Sequence, residues 1–94
     1  MVADVRALPH LDDLRAYVHS VLCARDRLNR SEAELRQAWV VRNGRRCGMF
    51  FQVNGPRLLR TYAVWSSDEQ RILFYESTGT RFAETQLAAG PEAE

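Results

Sequence analysis

The chain contains no lysine: all thirteen of its basic residues are arginine. Arginine forks suit bidentate recognition of phosphate and carboxylate, but codon drift in a GC-rich genome accounts for the bias without a ligand. Cysteine is scarce, with Cys23 and Cys47 only, and so is histidine, with His10 and His19. Neither cysteine has a second cysteine, nor either histidine a second histidine, at the few-residue spacing of a zinc site, so neither a metal nor a cofactor is expected. The first residues, MVADVRALPHLDD, are broken by charge and proline and do not read as a secretion signal. Both cysteines therefore read as free thiols of a cytoplasmic protein. No segment approaches the roughly 18 consecutive apolar residues of a membrane span, so no membrane partner is expected.

Catalytic patterns are missing as well. His10 and His19 stand nine residues apart, on opposite faces of an ideal helix. Asp12 and Asp13 are adjacent and diverge, which suits the positive end of a helix dipole better than a carboxylate pair. Ser20 and Cys23 lie near His19, but a nucleophile also needs an orienting acid and an oxyanion site. Neither glycine-containing turn has phosphate-loop spacing. Nothing here points to an enzyme.

What remains is an ordinary globular composition, 46% hydrophobic and 27% charged over 94 residues. It predicts one domain over residues 1–94, with 90–94 fraying. Residues 9–28 read as a helix, because Leu11, Leu14, Val18, Val21, Leu22, Arg25 and Leu28 recur at i, i+3, i+4 and i+7. Ser31 and Glu34 have capping-box spacing and suggest a short second helix over 32–37. From residue 38 the period changes to two. Asn43-Gly44 is a strong hairpin signal, and Asn54-Gly55-Pro56 and Ser66-Ser67-Asp68-Glu69 mark two further turns. The expected fold is therefore α+β: an N-terminal helix packed on a four-stranded antiparallel meander in sequential order. Residues 81–89 read as a short closing helix or extension.

Turn lengths set the register, and register sorts side chains to faces. A two-residue turn at Asn43-Gly44 places Val40 opposite Cys47. A four-residue turn at 54–57 places Val53 opposite Leu58, and a turn at 67–70 places Ser66 opposite Arg71. One face then collects Ala38, Val40, Cys47, Met49, Phe51, Val53, Leu58, Arg60, Tyr62, Val64, Leu73 and Tyr75 and is assigned to the helix. The other collects Trp39, Val41, Arg46, Gly48, Phe50, Gln52, Leu59, Thr61, Ala63, Trp65, Ile72, Phe74 and Glu76, with too many large apolar side chains to be left in water. In this register Gly48 is a flat spot under the Trp39 indole, and Arg46 lies opposite Trp65. The second face is covered by the chain's own ends, by another copy, or by a ligand.

Three functional readings follow. The leading one is an interaction module that pairs with itself as a homodimer, or with another protein, through Trp39, Phe50, Trp65 and Phe74. A second is nucleic-acid binding. Residues 35–67 carry six arginines and no acid, and Arg42, Arg45 and Arg46 cluster at one hairpin. Asp68 and Glu69 fall at the same end of the sheet and offset that charge. A third is a small anion pocket where Arg57, Thr78, Gly79 and Arg81 come to one end of the meander.

Overall fold

The computed structural model describes residues 2–25, 27–29, 31–55 and 60–92. The chain is α+β, with one helix among the described residues, α1 (Leu11–Arg25), and six strands. These are β1 (Val2–Ala7), β2 (Arg36–Arg42), β3 (Arg45–Asn54), β4 (Arg60–Ser66), β5 (Arg71–Tyr75) and β6 (Arg81–Ala89). They form one sheet in the order β1-β6-β5-β4-β3-β2. The expected meander is present as β2 to β5, but it is the larger part of a mixed sheet. β6 adds antiparallel to β5, and β1 adds parallel to β6.

α1 starts after His10, whose carbonyl accepts the Leu14 amide at 3.1 Å. Asp12 and Asp13 occupy its first turn, beside the unpaired amides. Its end is a Schellman closure. Leu28 N donates to Cys23 O at 2.7 Å and Arg27 N to Ala24 O at 3.3 Å, with Arg27 left-handed at φ 55°. The apolar stripe Leu14, Val18 and Leu22 is completely buried, as its spacing predicts.

The second helix does not form. Asn29 caps the segment instead: its Oδ1 accepts from Ser31 N at 3.0 Å and from Ser31 Oγ at 2.8 Å. Its carbonyl accepts the Glu32 and Ala33 amides, both at 2.9 Å. Asparagine satisfying nearby backbone makes a turn as readily as a cap, and the chain is extended again from Arg36. Leu28, Ala33 and Leu35 pack on the core beside α1, so this connection carries the chain across the helical side of the sheet. His19 Nε2–H donates to the Ala33 carbonyl at 2.6 Å, a structural tie rather than a base.

Residues 81–89 are a strand, not a helix. Ala, Leu, Gln and Glu favour helix locally, but pairing on both sides in the sheet overrides that preference. Thr85 and Leu87 point inward and are buried. Tyr17 and Thr85 hydroxyls bond at 2.7 Å and tie α1 to β6. Tyr17→Phe is expected to lower stability by about 1–2 kcal/mol in urea unfolding, because the Thr85 hydroxyl, 2% exposed, loses its partner. The end of the chain is also better held than expected: Pro91 is buried and Gly90 lies against the Gln70 side chain. Residues 93–94 are outside the described set.

The registers correct the face assignment at two places. Arg42 pairs with Arg45 as expected, but a bulge between Val40 and Val41 pairs Val40 with Gly48 and leaves Cys47 as the extra residue. On the other side of β3, Val53 pairs with Thr61 and Asn54 with Arg60, so the connection is longer than four residues. The expected partner Leu58 lies outside the described residues. Ser66 opposite Arg71 is observed. The helical face accordingly holds Trp39, Met49, Trp65, Ile72 and Thr85 along one row, and Phe51, Ala63, Phe74 and Ala83 along the next. Met49, Phe51, Ala63, Trp65, Ile72 and Phe74 are at most 1% exposed and form one core with α1.

Candidate functional site

The face turned away from α1 follows from the same registers. Its middle row is Ala38, Phe50, Val64, Leu73 and Glu84, and its next row is Arg36, Gln52, Tyr62, Tyr75 and Arg81. Phe50, Tyr62, Val64, Leu73 and Tyr75 are only partly buried. Val5, on the same face of β1, is 67% exposed. Among the described residues no segment lies over this face. Leu28, Ala33 and Leu35 of the α1–β2 connection pack on the helical side, and residues 90–92 turn to the tip of the β2–β3 hairpin. The ends of the chain extend the sheet in its own plane.

Three rings form a ridge on the open face. Phe50 stacks on Tyr62 with centroids 5.7 Å apart, and Tyr62 on Tyr75 at 5.0 Å with an interplanar angle of 12°. Diagonal and direct cross-strand neighbours make such stacks routinely. The stack occupies both faces of Tyr62 and one face each of Phe50 and Tyr75. Arginines flank the ridge. Arg36, Arg60 and Arg81 are exposed and carry no ion pair among the described residues. Arg71 is engaged, at 2.8 Å to Glu69 and 3.6 Å to Glu84. Glu84 is the one acid that the described strands place on this face.

The structure separates the four residues grouped from the sequence as an interaction face. Trp65 and Phe74 are fully buried beneath α1. Trp39 packs at the margin of the same core, with the Arg46 guanidinium 4.5 Å over its ring. Arg46 therefore stacks on Trp39 and not on Trp65. Only Phe50 lies on the open face. Its companions there, Tyr62, Val64, Leu73 and Tyr75, had been assigned to the helix. One signal was available for the right choice: Arg60, Tyr62 and Tyr75 carry polar atoms that a covered face must satisfy, whereas Ala63, Ile72 and Phe74 carry none.

No family model, curated protein or solved structure matches the chain.

Arg42, Arg45 and Arg46 are exposed at the β2–β3 tip and line shallow clefts of about 310, 160 and 180 Å³ with the β4–β5 turn. Asp68 lines all three clefts, and Glu69 lines the third. The basic tip thus meets the acids that were expected to offset it. At the other end of the sheet, Arg57 lies outside the described residues. Gly79 donates its amide to Glu76 O at 2.8 Å with φ 91°, and Thr78 Oγ1 donates to Thr80 Oγ1 at 3.3 Å. The amide that an anion would need is already committed to the turn. Cys23 is buried in the core, while Cys47 donates from Sγ to Val40 O at 3.5 Å inside the bulge; the two do not form a disulfide. Among the described residues no helix is long and apolar enough to cross a membrane, and no three His, Cys, Asp or Glu side chains converge as metal ligands.

Proposed function

We propose that the chain is a protein-interaction module and that the sheet face opposite α1 holds another polypeptide. One observation supports this reading above the others: Phe50, Val64 and Leu73, backed by the Tyr62–Tyr75 stack, form an apolar strip with no described segment over it. The free face of a one-sided antiparallel sheet is normally polar. A continuous apolar patch on such a face marks a contact surface.

The flanking charge bears on which polypeptide. A second copy laid face to face about a two-fold axis parallel to the strands would set Arg36, Arg60 and Arg81 against the same three arginines, with Glu84 alone to answer them. Like charges opposed across an interface cost several kcal/mol. That charge favours a different protein over a homodimer, the second of the two partners expected on sequence grounds.

Two measurements test the reading. Light scattering on the isolated chain is expected to give 10.8 kDa at all dilutions. Val64→Glu is expected to lower stability by only about 1 kcal/mol, since its side chain stands on an uncovered face. A mass of twice the monomer that persists on dilution reassigns the occupant to a second copy. A Val64→Glu chain that unfolds shows that this face is a covered core, and the module reading falls.

A further inference from the structure

Resting on that reading, we infer that the docked segment is an acidic amphipathic α-helix that lies across the strands, its carboxylates meeting Arg36, Arg60 and Arg81. The three arginines stand on β2, β4 and β6, alternate strands of the sheet. Neighbouring strands are about 4.8 Å apart, so the arginines recur at intervals of about 10 Å across the sheet. Arg36 and Arg81 belong to the row of Tyr62 and Tyr75, and Arg60 lies one pleat beyond it, opposite Asn54. A long arginine side chain spans that offset.

The interval selects the conformation of the partner. On a helix, two turns advance about 10.5 Å and return to the same face, so acids at i, i+7 and i+14 match the arginine comb. An extended peptide advances about 6.8 Å or 13.6 Å between side chains on one face, and neither matches. Apolar residues at i+3 and i+4 of such a helix fall over Phe50, Val64 and Leu73, beside the acidic line.

The charge and the rings select the chemistry. The arginine comb has no ion pairs of its own among the described residues, so an incoming carboxylate displaces no internal partner. Nucleic acid offers phosphates to the same arginines, but base stacking needs an open ring face. Tyr62 has none, Phe50 and Tyr75 keep one each at the two ends of the stack, and the apolar strip between the arginines has no counterpart in a phosphodiester backbone.

The experiment is a selection from a displayed library of helical peptides with randomised surface positions, using the whole chain as bait. Peptides combining an apolar stripe with Glu or Asp seven residues apart are expected to be enriched. The Arg60→Glu, Arg81→Glu double variant should weaken them at least about tenfold, and raising the salt concentration should weaken them as well. Enriched peptides that are apolar but carry no acidic preference, and that Val64→Glu releases, overturn the acidic-helix inference and leave the docking face standing. Peptides that bind Val64→Glu as well as wild type overturn both. A poly-deoxythymidine strand that displaces the selected peptides through Arg60 and Arg81 assigns the comb to nucleic acid and also overturns the inference. Circular dichroism of each variant establishes that it is folded.

Discussion

Serine in place of Trp65 is expected to lower the unfolding free energy by about 3–5 kcal/mol, the range of large-to-small changes in a packed core. Trp65 has no exposed surface and is the largest of the fully buried side chains. It sits in one row with Met49 on β3 and Ile72 on β5, beneath α1. Its indole Nε1 has no hydrogen-bond partner among the described residues, so the loss is one of apolar contact and of the cavity left behind. The serine hydroxyl adds to the cost, because a buried polar group without a partner is itself penalised by about 1–3 kcal/mol. Total stabilities of small domains are about 5–15 kcal/mol, so the variant should be partly unfolded without denaturant. Urea unfolding followed by tryptophan fluorescence of Trp39 and by circular dichroism measures the shift. Trp65→Phe should lose much less, since the N–H it gives up is unpaired. A Trp65→Ser chain as stable as wild type would mean that α1 does not cover this face.

That prediction reverses what alternation along the strands gives by itself, and the reason lies in one strand. The Asn43-Gly44 hairpin was legible. Both residues take the left-handed conformation, at φ 54° and 76°, that a type I′ turn demands. The connection from β4 to β5 was legible too, and Ala38, Val40, Tyr62, Val64, Leu73 and Tyr75 do share a face. β3 is the strand that was placed wrongly, because the sequence hides an irregularity at each of its ends. Cys47 bulges out of the ladder at one end, and the connection to Arg60 is longer than its turn residues suggest at the other. A slip by an odd number of residues, one at Cys47 and three where Thr61 replaces Leu58 opposite Val53, inverts every side chain. Two slips therefore left β2 and β4 in agreement and turned β3 against both. The helix was then assigned to the face of Met49, Phe51 and Val53, correctly, while the neighbouring strands carried the wrong residues to it.

The edge of the sheet was unreadable for a different reason. β1 is joined to β6 by residues some eighty positions away, and parallel pairing at that distance leaves no local pattern. Asp4 and Arg6 on a six-residue strand look like loop until the partner is known. The same long-range closure is what gathers the arginines. Arg36, Arg60 and Arg81 are widely spaced in sequence, and only the order β6-β5-β4-β3-β2 puts them on alternate strands of one face. The apolar content of that face could be seen in the residues; its position and its charged border could not.

Gly48→Ala is expected to be the second severe substitution, at about 2–3 kcal/mol, and it reports on the geometry that the sequence concealed. Gly48 was read as a flat seat for an indole, but its strand partner is Val40 and the close neighbour is backbone. A Cβ added there meets the Trp65 carbonyl oxygen well inside contact distance, and lies 3.1 Å from the Trp65 carbonyl carbon and 3.4 Å from Ser66 Cα. Backbone cannot swing aside as a side-chain tip can, so β3 and β4 must separate where Ser67 N and Oγ both donate to Cys47 O at 2.9 Å. Overpacking of this kind typically costs about 1–3 kcal/mol, and the strained ladder bonds place Gly48 at the upper end. Gly44→Ala is the informative control. A Cβ at Gly44 meets nothing within 4 Å, so only the φ of 76° opposes it, and the cost should stay near 1 kcal/mol. Urea midpoints for the pair, with unchanged slopes, separate crowding from backbone conformation. If Gly48→Ala proves no worse than Gly44→Ala, the bulge at Cys47 does not draw β3 onto β4, and the face assignment built on it must be revised.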